Sequence, residues 1–586
     1  MTRLPLTILM LMLSTAAHAA VKPVIWLADG MTRVSREEKP RPAKNLVLHA
    51  ARGEWEPLQA VIHASPEQLK QVDVDAATIL HSSGAALPPP EIFHEHYVRV
   101  SKSTMNSPLP PGEYPDALLP LDMPAEPHPA VEATNQPFWI DVFVPYAAAA
   151  GDYQGTLRFR LADGTALTAS FTLHVWSFDL PVVPRLRTSI MTTPRSVSRA
   201  HGIEFDGSHY SLELAQVLNQ YHDLLARHRL AIDQIYNALP EPDGTINEEK
   251  VERALRKHLL HRRASTISIP IWPDWPFKDP LGKDREAAMK HIATYARILE
   301  KIRCANRGYV IMGDLDEPND ADAYATVRRW GEFFNDVEKK HGVRVPLMIT
   351  EEPTPEKKAW GSLLGAVDIW CPHFSSIWDD MEWAGGSHDI AMRRQAGEEV
   401  WAYAALVQNS EAWAKAHQRP KVFKNSHSPV WCTDYPPINH RIASWLFPKH
   451  GVTGFSYWDT LYQPAGADPW KDAGSFHSES GEDVYNGDGF FIYPATQERH
   501  GRNAPVASMR LKWLRESADD YDYLILAREL GLDEKARQLT ETFARGFGDW
   551  DDNVPALFEA RASLGRLIEQ ASERRHSAQA TPSPSF

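Results

Sequence analysis

Apolar and polar residues alternate along the first third of the chain, which is the two-residue period of a β-strand with one buried face. The clearest runs are Phe138, Ile140, Val142 and Val144, and then Leu167, Ala169, Phe171, Leu173 and Val175. Asp163-Gly164 precedes the second run and is a hairpin turn signal. The pattern predicts a β-sandwich over residues 20–181, closed by a Pro-rich linker that ends at Pro184.

After Arg185 the pattern changes to short apolar strands that alternate with amphipathic helices. The candidate strands are residues 186–192, 230–236, 264–271, 308–314, 344–350, 366–371, 399–404 and 452–458. Eight such repeats predict a (β/α)₈ TIM barrel over residues 185–530. A doubly wound open sheet is the alternative, and the lack of a Gly-rich nucleotide turn favours the barrel.

The two ends of the chain differ from the rest. Arg3 precedes an apolar run from Leu4 to Leu13, and Ala17-His18-Ala19 then offers a cleavage site. Residues 1–19 therefore predict a signal peptide and an exported protein, periplasmic or extracellular. At the other end, residues 531–573 predict a helical extension, and the Ser- and Pro-containing segment 574–586 predicts a disordered tail.

Composition narrows the class of ligand. A formal net charge of −14 argues against a nucleic-acid partner. Beyond the N-terminal run, no apolar stretch is long enough to predict membrane insertion. The 19 tryptophans often lie beside Pro, Gly or Asp, as Trp272 does, and aromatic rings in loops suit the C–H faces of sugars. We therefore expect a glycan or glycoconjugate substrate, while the oligomeric state stays open.

Candidate chemistry follows from the barrel, because catalytic groups project from the carboxyl ends of its strands. The fourth strand is followed by Asp316-Glu317-Pro318. The other strand ends supply Trp370, His373, Tyr403, Tyr457, Trp458 and Asp459. Carboxylates and aromatic residues on one rim are typical of glycosidic bond cleavage. A helix cap at Asp320 and a calcium loop are the competing interpretations of the acidic segment. We expect no metal and no cofactor.

The ordered set of motifs resembles the catalytic-domain family of glycoside hydrolase family 123 and its uncharacterised relatives. The motifs that carry this resemblance are Arg52–Gln59, Gly112–Asp116, Asp316-Glu317-Pro318, Val367–Pro372, Gly454–Trp458, Gly487–Pro494, Ser508-Met509-Arg510, Arg515 and Asp520–Leu524. The resemblance covers nearly all of the chain after residue 19. It implies a β-sandwich on a (β/α)₈ barrel and exo-acting release of terminal β-linked N-acetylgalactosamine.

The resemblance also implies roles for the acidic pair. In the family the 2-acetamido oxygen of the substrate attacks the anomeric carbon. Glu317 then corresponds to the general acid/base, and Asp316 to the group that orients the acetamido nitrogen. Relatives commonly carry an aromatic residue where this chain has Leu315, so the choice among related sugars stays open.

Two further hypotheses compete with this one. The first is a glycosidase for a sugar without an acetamido group, which uses another rim carboxylate such as Asp459 as nucleophile. The second is a non-catalytic glycan-binding protein on the same fold.

Overall fold

The structure is a computed structural model. It describes residues 21–42, 45–207, 210–241, 244–312, 315–353, 356–357, 359–377, 387–407, 425, 427–478 and 480–580. The predicted signal peptide, residues 1–19, lies outside the described residues. No helix in the described part of the chain is long and apolar enough to cross a membrane.

Residues 24–179 form two facing sheets. In chain order their strands are β1 (Val24–Asp29), β2 (Leu46–Arg52), β3 (Trp55–Ala64), β4 (Val72–His81), β5 (Glu91–Val100), β6 (Gly112–Pro120), β7 (Thr134–Phe143), β8 (Gly151–Leu161) and β9 (Ala166–Asp179), with the short helix α1 (Pro66–Leu69) between β3 and β4. One sheet has the order β1-β3-β7-β5-β6 and the other the order β2-β9-β8-β4. Every neighbouring pair is antiparallel except β2 and β9.

The alternation seen in the sequence accounts for the core between these sheets. Phe138, Ile140 and Val142 on β7 are fully buried in one apolar cluster with Phe171 and Leu173 of β9. The predicted hairpin joins β8 to β9, and Gly164 in its turn has a φ of 85°, a left-handed conformation that glycine adopts without strain. The period-2 pattern therefore predicted which side chains face inward.

The remaining strands and helices follow in chain order. The strands are β10 (Arg187–Ile190), β11 (Ile267–Ser268), β12 (Gly308–Ile311), β13 (Leu347–Ile349), β14 (Glu356–Lys357), β15 (Gly361–Ser362), β16 (Ile369–Trp370), β17 (Glu399–Ala404), β18 (Gly454–Tyr457), β19 (Gly474–His477), β20 (Val484–Asn486), β21 (Ile492–Ala495), β22 (Ala504–Ala507), β23 (Ala544–Gly546) and β24 (Asp549–Trp550). The helices are α2 (Pro194–His201), α3 (Leu212–Arg227), α4 (Glu248–Arg256), α5 (Arg285–Lys301), α6 (Ala321–His341), α7 (Ser387–Gln395), α8 (Asn439–His450), α9 (Gln497–His500), α10 (Met509–Glu529), α11 (Asp533–Glu541) and α12 (Val554–Ala580).

Seven of these strands form a parallel, nearly closed barrel-like sheet with the order β10-β18-β17-β16-β13-β12-β11. Each of the seven lies inside a segment predicted as a strand from the sequence. The remaining predicted strand, 230–236, contributes one parallel bridge, between Ile190 and Ile232. Around that bridge, Ile190 N–H donates to Ala231 O at 2.9 Å, and Ser268 N–H donates to Asp233 O at 2.8 Å. Residues 231–233 therefore occupy the gap between β10 and β11.

The sheet has distinct inner and outer faces. Tyr309, Met348, Ile369, Cys371 and Trp401 form a buried cluster inside the ring of strands. Their immediate neighbours along the chain, such as Val310 and Trp370, pack instead in the large core that includes the surrounding helices. This is the alternation expected of barrel strands, whose side chains point inward and outward in turn.

Buried ion pairs join the sandwich to helix α10. Asp116 on β6 lies 2.9 Å from the Arg510 guanidinium, and Asp141 on β7 lies 2.9 Å from that of Arg515. Lys512 also contacts Asp141, at 2.6 Å between Nζ and Oδ2. All five side chains are almost fully buried. Several motif residues that carry the family resemblance thus stabilise the contact between the two parts of the fold.

The C-terminal helix α12 runs from Val554 to Ala580. The predicted disordered tail, residues 574–586, therefore begins inside a helix, and residues 581–586 lie outside the described part of the chain. The three cysteines, Cys304, Cys371 and Cys432, are all buried and free.

Candidate active site

A cavity of about 380 Å³ opens at the carboxyl ends of the barrel-like strands. Its wall includes Asp316 and Glu317 after β12, Thr350 after β13, Tyr403 on β17 and Trp458 after β18. Asp233, which follows the bridge at Ile232, and Trp272, which follows β11, line it from the other side. This volume lies in the range of roughly 300–1,000 Å³ that is usual for small-molecule sites.

Both acidic side chains face this one cavity although they are neighbours in sequence. Strand β12 ends at Ile311, so the pair does not follow strand alternation. Glu317 has a φ of 44°, in the left-handed region that side chains other than glycine adopt at a cost of about 1–3 kcal/mol. Pro318 disfavours the right-handed helical conformation at the preceding residue, which fits this turn. The local backbone therefore directs both carboxyls to the same side.

The Thr350 hydroxyl links the two acidic residues. It accepts a hydrogen bond of 2.8 Å from the Glu317 backbone N–H and donates one of 2.5 Å to Asp316 Oδ1. Because one hydroxyl serves both, the orientation of the Asp316 carboxylate is tied to the turn at Glu317. No residue in the described part of the chain hydrogen-bonds to the second carboxylate oxygen of Asp316, which can therefore accept a hydrogen bond from a ligand.

The Tyr403 hydroxyl donates a short hydrogen bond to Glu317 Oε1. Burial, together with the nearby negative charge of Glu317, raises the pKa of Tyr403 far above its usual range. Tyr403 is therefore protonated at neutral pH and acts as the donor in this hydrogen bond.

Three of the predicted binding residues line the cavity and four do not. Tyr403, Trp458 and Trp272 lie in its wall. Trp370 and Tyr457 are fully buried in the outer core, so the prediction that they contact the substrate is corrected. Strand alternation places their neighbours Ile369 and Ser456 on the inner face instead. Trp370 Nε1 donates to Glu398 at 2.7 Å, and the Tyr457 hydroxyl donates to Asp488 at 3.1 Å.

His373 and Asp459 also lie behind the wall. The His373 ring packs edge-on against Tyr403, with centroids 5.1 Å apart, and its Nε2 lies 2.9 Å from Ala405 O. Asp459 Oδ1 accepts the backbone N–H groups of Thr460 and Leu461 at 2.7 and 3.0 Å. His373 therefore supports a wall residue, and Asp459 holds the turn that follows β18.

The motif around Gly487-Asp488-Gly489 supports the same wall from behind. Gly489 has a φ of 67°, and a Cβ at this position would meet the Trp458 ring at 2.3 Å. Asp488 Oδ2 accepts the Leu406 N–H at 3.1 Å. The motif therefore allows the Trp458 ring to pack against the backbone and fixes the loop that carries Leu406, another cavity residue.

The competing interpretation of the acidic segment as a helix start is correct for one of its members. Asp320 is the N-cap of α6, and its side chain accepts the Ala323 N–H at 2.8 Å. Leu315, where relatives carry an aromatic residue, is 5% exposed and belongs to the core. Asp316 and Glu317 alone among the described acidic residues of this loop line the cavity.

Thr350 and Asp233 were missed in the sequence. Thr350 ends the predicted strand 344–350, and that position was the signal that could have identified it, whereas Asp233 lies in the middle of the predicted strand 230–236 and carried no such signal. Burial, with a smaller contribution from the charge of Asp459, raises the pKa of Asp233 to about 7. Asp233 is thus a carboxyl that is still about half protonated at neutral pH.

Residues 380–527 match the family model described as glycoside hydrolase 123, catalytic domain. The structure of a family 123 glycoside hydrolase from Clostridium perfringens, described in terms of glycolipid glycan hydrolysis, superposes with a TM-score of 0.65 at 13% identity. The superposition covers 96% of this chain and 100% of that one.

Two other solved structures are much less similar. A family 5 xyloglucanase from Bacteroides ovatus is 12% identical, over 81% of this chain and 98% of that one, with a TM-score of 0.27. A family 39 glycoside hydrolase from Bacteroides cellulosilyticus is also 12% identical, over 81% and 82%, with a TM-score of 0.31. No curated protein matches the sequence. The resemblance of this chain to glycoside hydrolase family 123 is confirmed by the family model over residues 380–527 and by a fold shared over nearly the whole chain.

Proposed function

We propose that this protein is an exported, exo-acting glycoside hydrolase that removes a terminal β-linked N-acetylhexosamine, with N-acetylgalactosamine favoured. The family match supports a glycosidase. The observation that carries the finer proposal is the placement of Asp316 and Glu317 on one cavity, joined through the Thr350 hydroxyl.

In this proposal the substrate supplies its own nucleophile. The 2-acetamido oxygen attacks the anomeric carbon while Glu317 gives its proton to the departing glycosidic oxygen. A water molecule, deprotonated by Glu317, then opens the cyclised intermediate from the face that the leaving group occupied. Two inversions at the anomeric carbon give net retention of configuration.

Each neighbour of the acidic pair has a role in that sequence. The Tyr403 hydroxyl stabilises the Glu317 carboxylate once the proton has left. Thr350 binds Oδ1 of Asp316, which leaves the other oxygen to accept the acetamido N–H. A carboxylate at that nitrogen stabilises the positive charge that develops on the acetamido group during attack.

The fold and the chain ends complete the proposal. We propose a (β/α)₈ barrel over residues 185–530, since residues 231–233 bond to β10 and β11 where an eighth strand belongs. We also propose the β-sandwich domain over residues 20–181 and the export signal over residues 1–19, with a periplasmic or extracellular location.

The alternative with an enzymic nucleophile is less well supported. Asp459 does not line the cavity and is engaged by two backbone N–H groups. Asp233 does line it, but a carboxyl with a pKa of about 7 is only about half ionised at neutral pH and less below it, and a protonated carboxyl is a poor nucleophile. The acetamido group of the substrate is therefore the better candidate.

Fluorogenic β-N-acetylgalactosaminide, β-N-acetylglucosaminide and β-galactoside substrates test the proposal. We expect turnover of the acetamido sugars only, and inhibition by a thiazoline analogue of the cyclised intermediate. Glu317→Gln should lower turnover by about 10²–10⁴-fold on poor leaving groups and less on aryl glycosides. Asp316→Asn should lower it by about 10²-fold or more.

Asp320→Asn is the matched control, because asparagine caps a helix as well as aspartate does. It should leave both activity and stability unchanged. Hydrolysis of the β-galactoside at a comparable rate, or indifference to the thiazoline, would contradict the substrate-assisted mechanism. Binding without turnover of any of the three sugars would favour a glycan-binding protein.

A further inference from the structure

A second cavity, of about 450 Å³, adjoins the catalytic one. Thr193, Asp233, Gln234 and Trp272 line both, so the two spaces meet at these four residues. All other residues of the second cavity come from segments 192–239 and 274–275, which follow the first three strand positions of the barrel-like sheet. We call this space the side cavity.

The walls of the side cavity combine ring faces with polar groups. Trp272 and Trp275 pack at 4.8 Å between centroids, in a tight turn closed by a hydrogen bond of 2.7 Å from Trp272 N–H to Trp275 O. Tyr210 packs at 5.1 Å against both Phe205 and Tyr236, which forms a second aromatic surface. These five rings are only partly buried.

The polar groups suit hydroxyl-bearing ligands. Asp233 and Gln234 lie at the junction, and Asp274 and Arg195 are exposed at the wall. Ring faces next to acceptors and donors are what a pyranose binds, since its C–H face stacks while its hydroxyls form hydrogen bonds. A purely apolar ligand would leave the carboxyl and amide groups at the junction without partners.

The position of the general acid decides which sugar enters the side cavity. Glu317 lines the catalytic cavity but not the side cavity, and its carboxylate is bonded to Tyr403 on β17. The leaving group must lie within hydrogen-bond reach of Glu317. A sugar ring in the side cavity is therefore not the leaving group. It is attached to a hydroxyl of the reacting sugar other than the anomeric one, that is, on the non-reducing side of the reacting sugar.

We infer that the side cavity binds a second sugar carried on the non-reducing side of the reacting N-acetylhexosamine. This inference rests on the proposed function and widens it: besides a bare terminal residue, the enzyme accepts a reacting sugar extended by one further unit and releases a disaccharide. Trp275 and Tyr210 are the residues that determine this specificity without contacting the reacting atoms.

The test compares three substrates on the full chain. The first is 4-methylumbelliferyl β-N-acetylgalactosaminide, and the second is the same aryl glycoside with one β-linked hexose at O3, O4 or O6. The third is an oligosaccharide with N-acetylgalactosamine at its non-reducing end. We expect the wild-type protein to cleave at least one extended aryl glycoside between the disaccharide and the aryl group.

Two variants locate the second sugar. Trp275→Ala and Tyr210→Ala should each lower kcat/KM for the extended aryl glycoside by about 10-fold or more, mainly through KM, while the other two substrates change less than about 2-fold. Tyr146→Ala is the control, since this aromatic residue is 40% exposed and lies on the sandwich outside both cavities. Tyr146→Ala should leave kcat/KM unchanged for all three substrates.

The outcomes separate this inference from the proposed function. If the bare aryl glycoside is cleaved but no extended one is cleaved or bound, the inference is wrong and the proposed function stands. If the two variants impair the third substrate instead, the side cavity receives the leaving group and the inference is also wrong. If no acetamido substrate is cleaved, the proposed function itself fails.

Discussion

At the scale of single residues, the candidate site depends on a threonine that belongs to no catalytic motif. Thr350 hydrogen-bonds to both the Glu317 backbone and the Asp316 carboxylate, so it couples the two groups that are proposed to act together. In the proposed mechanism its hydroxyl is a positioning group, because it contacts the candidate catalytic pair and is not itself a candidate acid or base.

Replacing Thr350 tests that coupling. Thr350→Val keeps the shape of the side chain but removes both hydrogen bonds, and it should lower kcat on N-acetylated substrates by about 10–10²-fold, since small misplacements of catalytic groups are costly. Thr350→Ser restores the hydroxyl and should recover most of the activity. Steady-state kinetics with a thermal unfolding control measures both. If Thr350→Val kept its activity while Thr350→Ser lost it, Thr350 would act only through packing and the proposed coupling would be wrong.

At the scale of elements, strand alternation decides which aromatic residues can contact a ligand. On β16 the inner position is Ile369, so Trp370 packs outward and is fully buried against the helices. On β18 Ser456 faces inward, and Trp458, two residues further along, points to the same side and lines the cavity. Two tryptophans at strand ends thus differ: Trp370 points outward into the core, and Trp458 points inward to the cavity.

These two tryptophans should respond differently to truncation. Trp370→Ala should lower the free energy of unfolding by about 3–5 kcal/mol, because it leaves a void in a packed core. Trp458→Ala should instead lower kcat/KM by about 10-fold or more with a small effect on stability, since its ring is partly exposed at the cavity. Denaturant unfolding and steady-state kinetics on both variants measure these two effects. A loss of activity without a loss of stability in Trp370→Ala would contradict the assigned parity.

At the scale of the whole molecule, buried charges hold the sandwich against the second part of the fold. Asp141 of β7 is paired with both Arg515 and Lys512 of α10. Burial acts to raise the pKa of Asp141, but the two cations outweigh it and hold that pKa well below its usual range. The ionised carboxylate is therefore the form that stabilises the fold.

Asp141→Asn should lower the free energy of unfolding by about 3–5 kcal/mol, because it removes the carboxylate partner of the buried Lys512 and leaves the buried Arg515 paired with Glu516 alone. The sign of the pH dependence follows from the depressed pKa: the contribution is complete above the ordinary carboxyl pKa of about 4 and is lost as the pH falls below it. We therefore expect the difference in the free energy of unfolding between wild type and variant to shrink as the pH is lowered from 7 to 3.

Asp122→Asn is the matched control for Asp141. Asp122 also connects the sandwich to the second part of the fold, through Arg502 at 2.6 Å, but its side chain is 67% exposed. This variant should cost about 0.5 kcal/mol or less. A similar cost for both variants, or a difference that grows toward low pH, would contradict the assigned role of Asp141.

The sequence alone determined the element types, because the two-residue and 3.6-residue periods are local properties of the backbone. It placed the seven barrel-like strands, the core face of β7 and the position of Asp316 and Glu317 after the fourth predicted strand. It did not determine the parity of Trp370 and Tyr457, because either face of a strand can be apolar when both faces are buried. Nor did it reveal Thr350, Asp233 or the buried role of the charged motifs. These depend on contacts between residues far apart in the chain, and only tertiary packing decides which distant groups share a cavity or an ion pair.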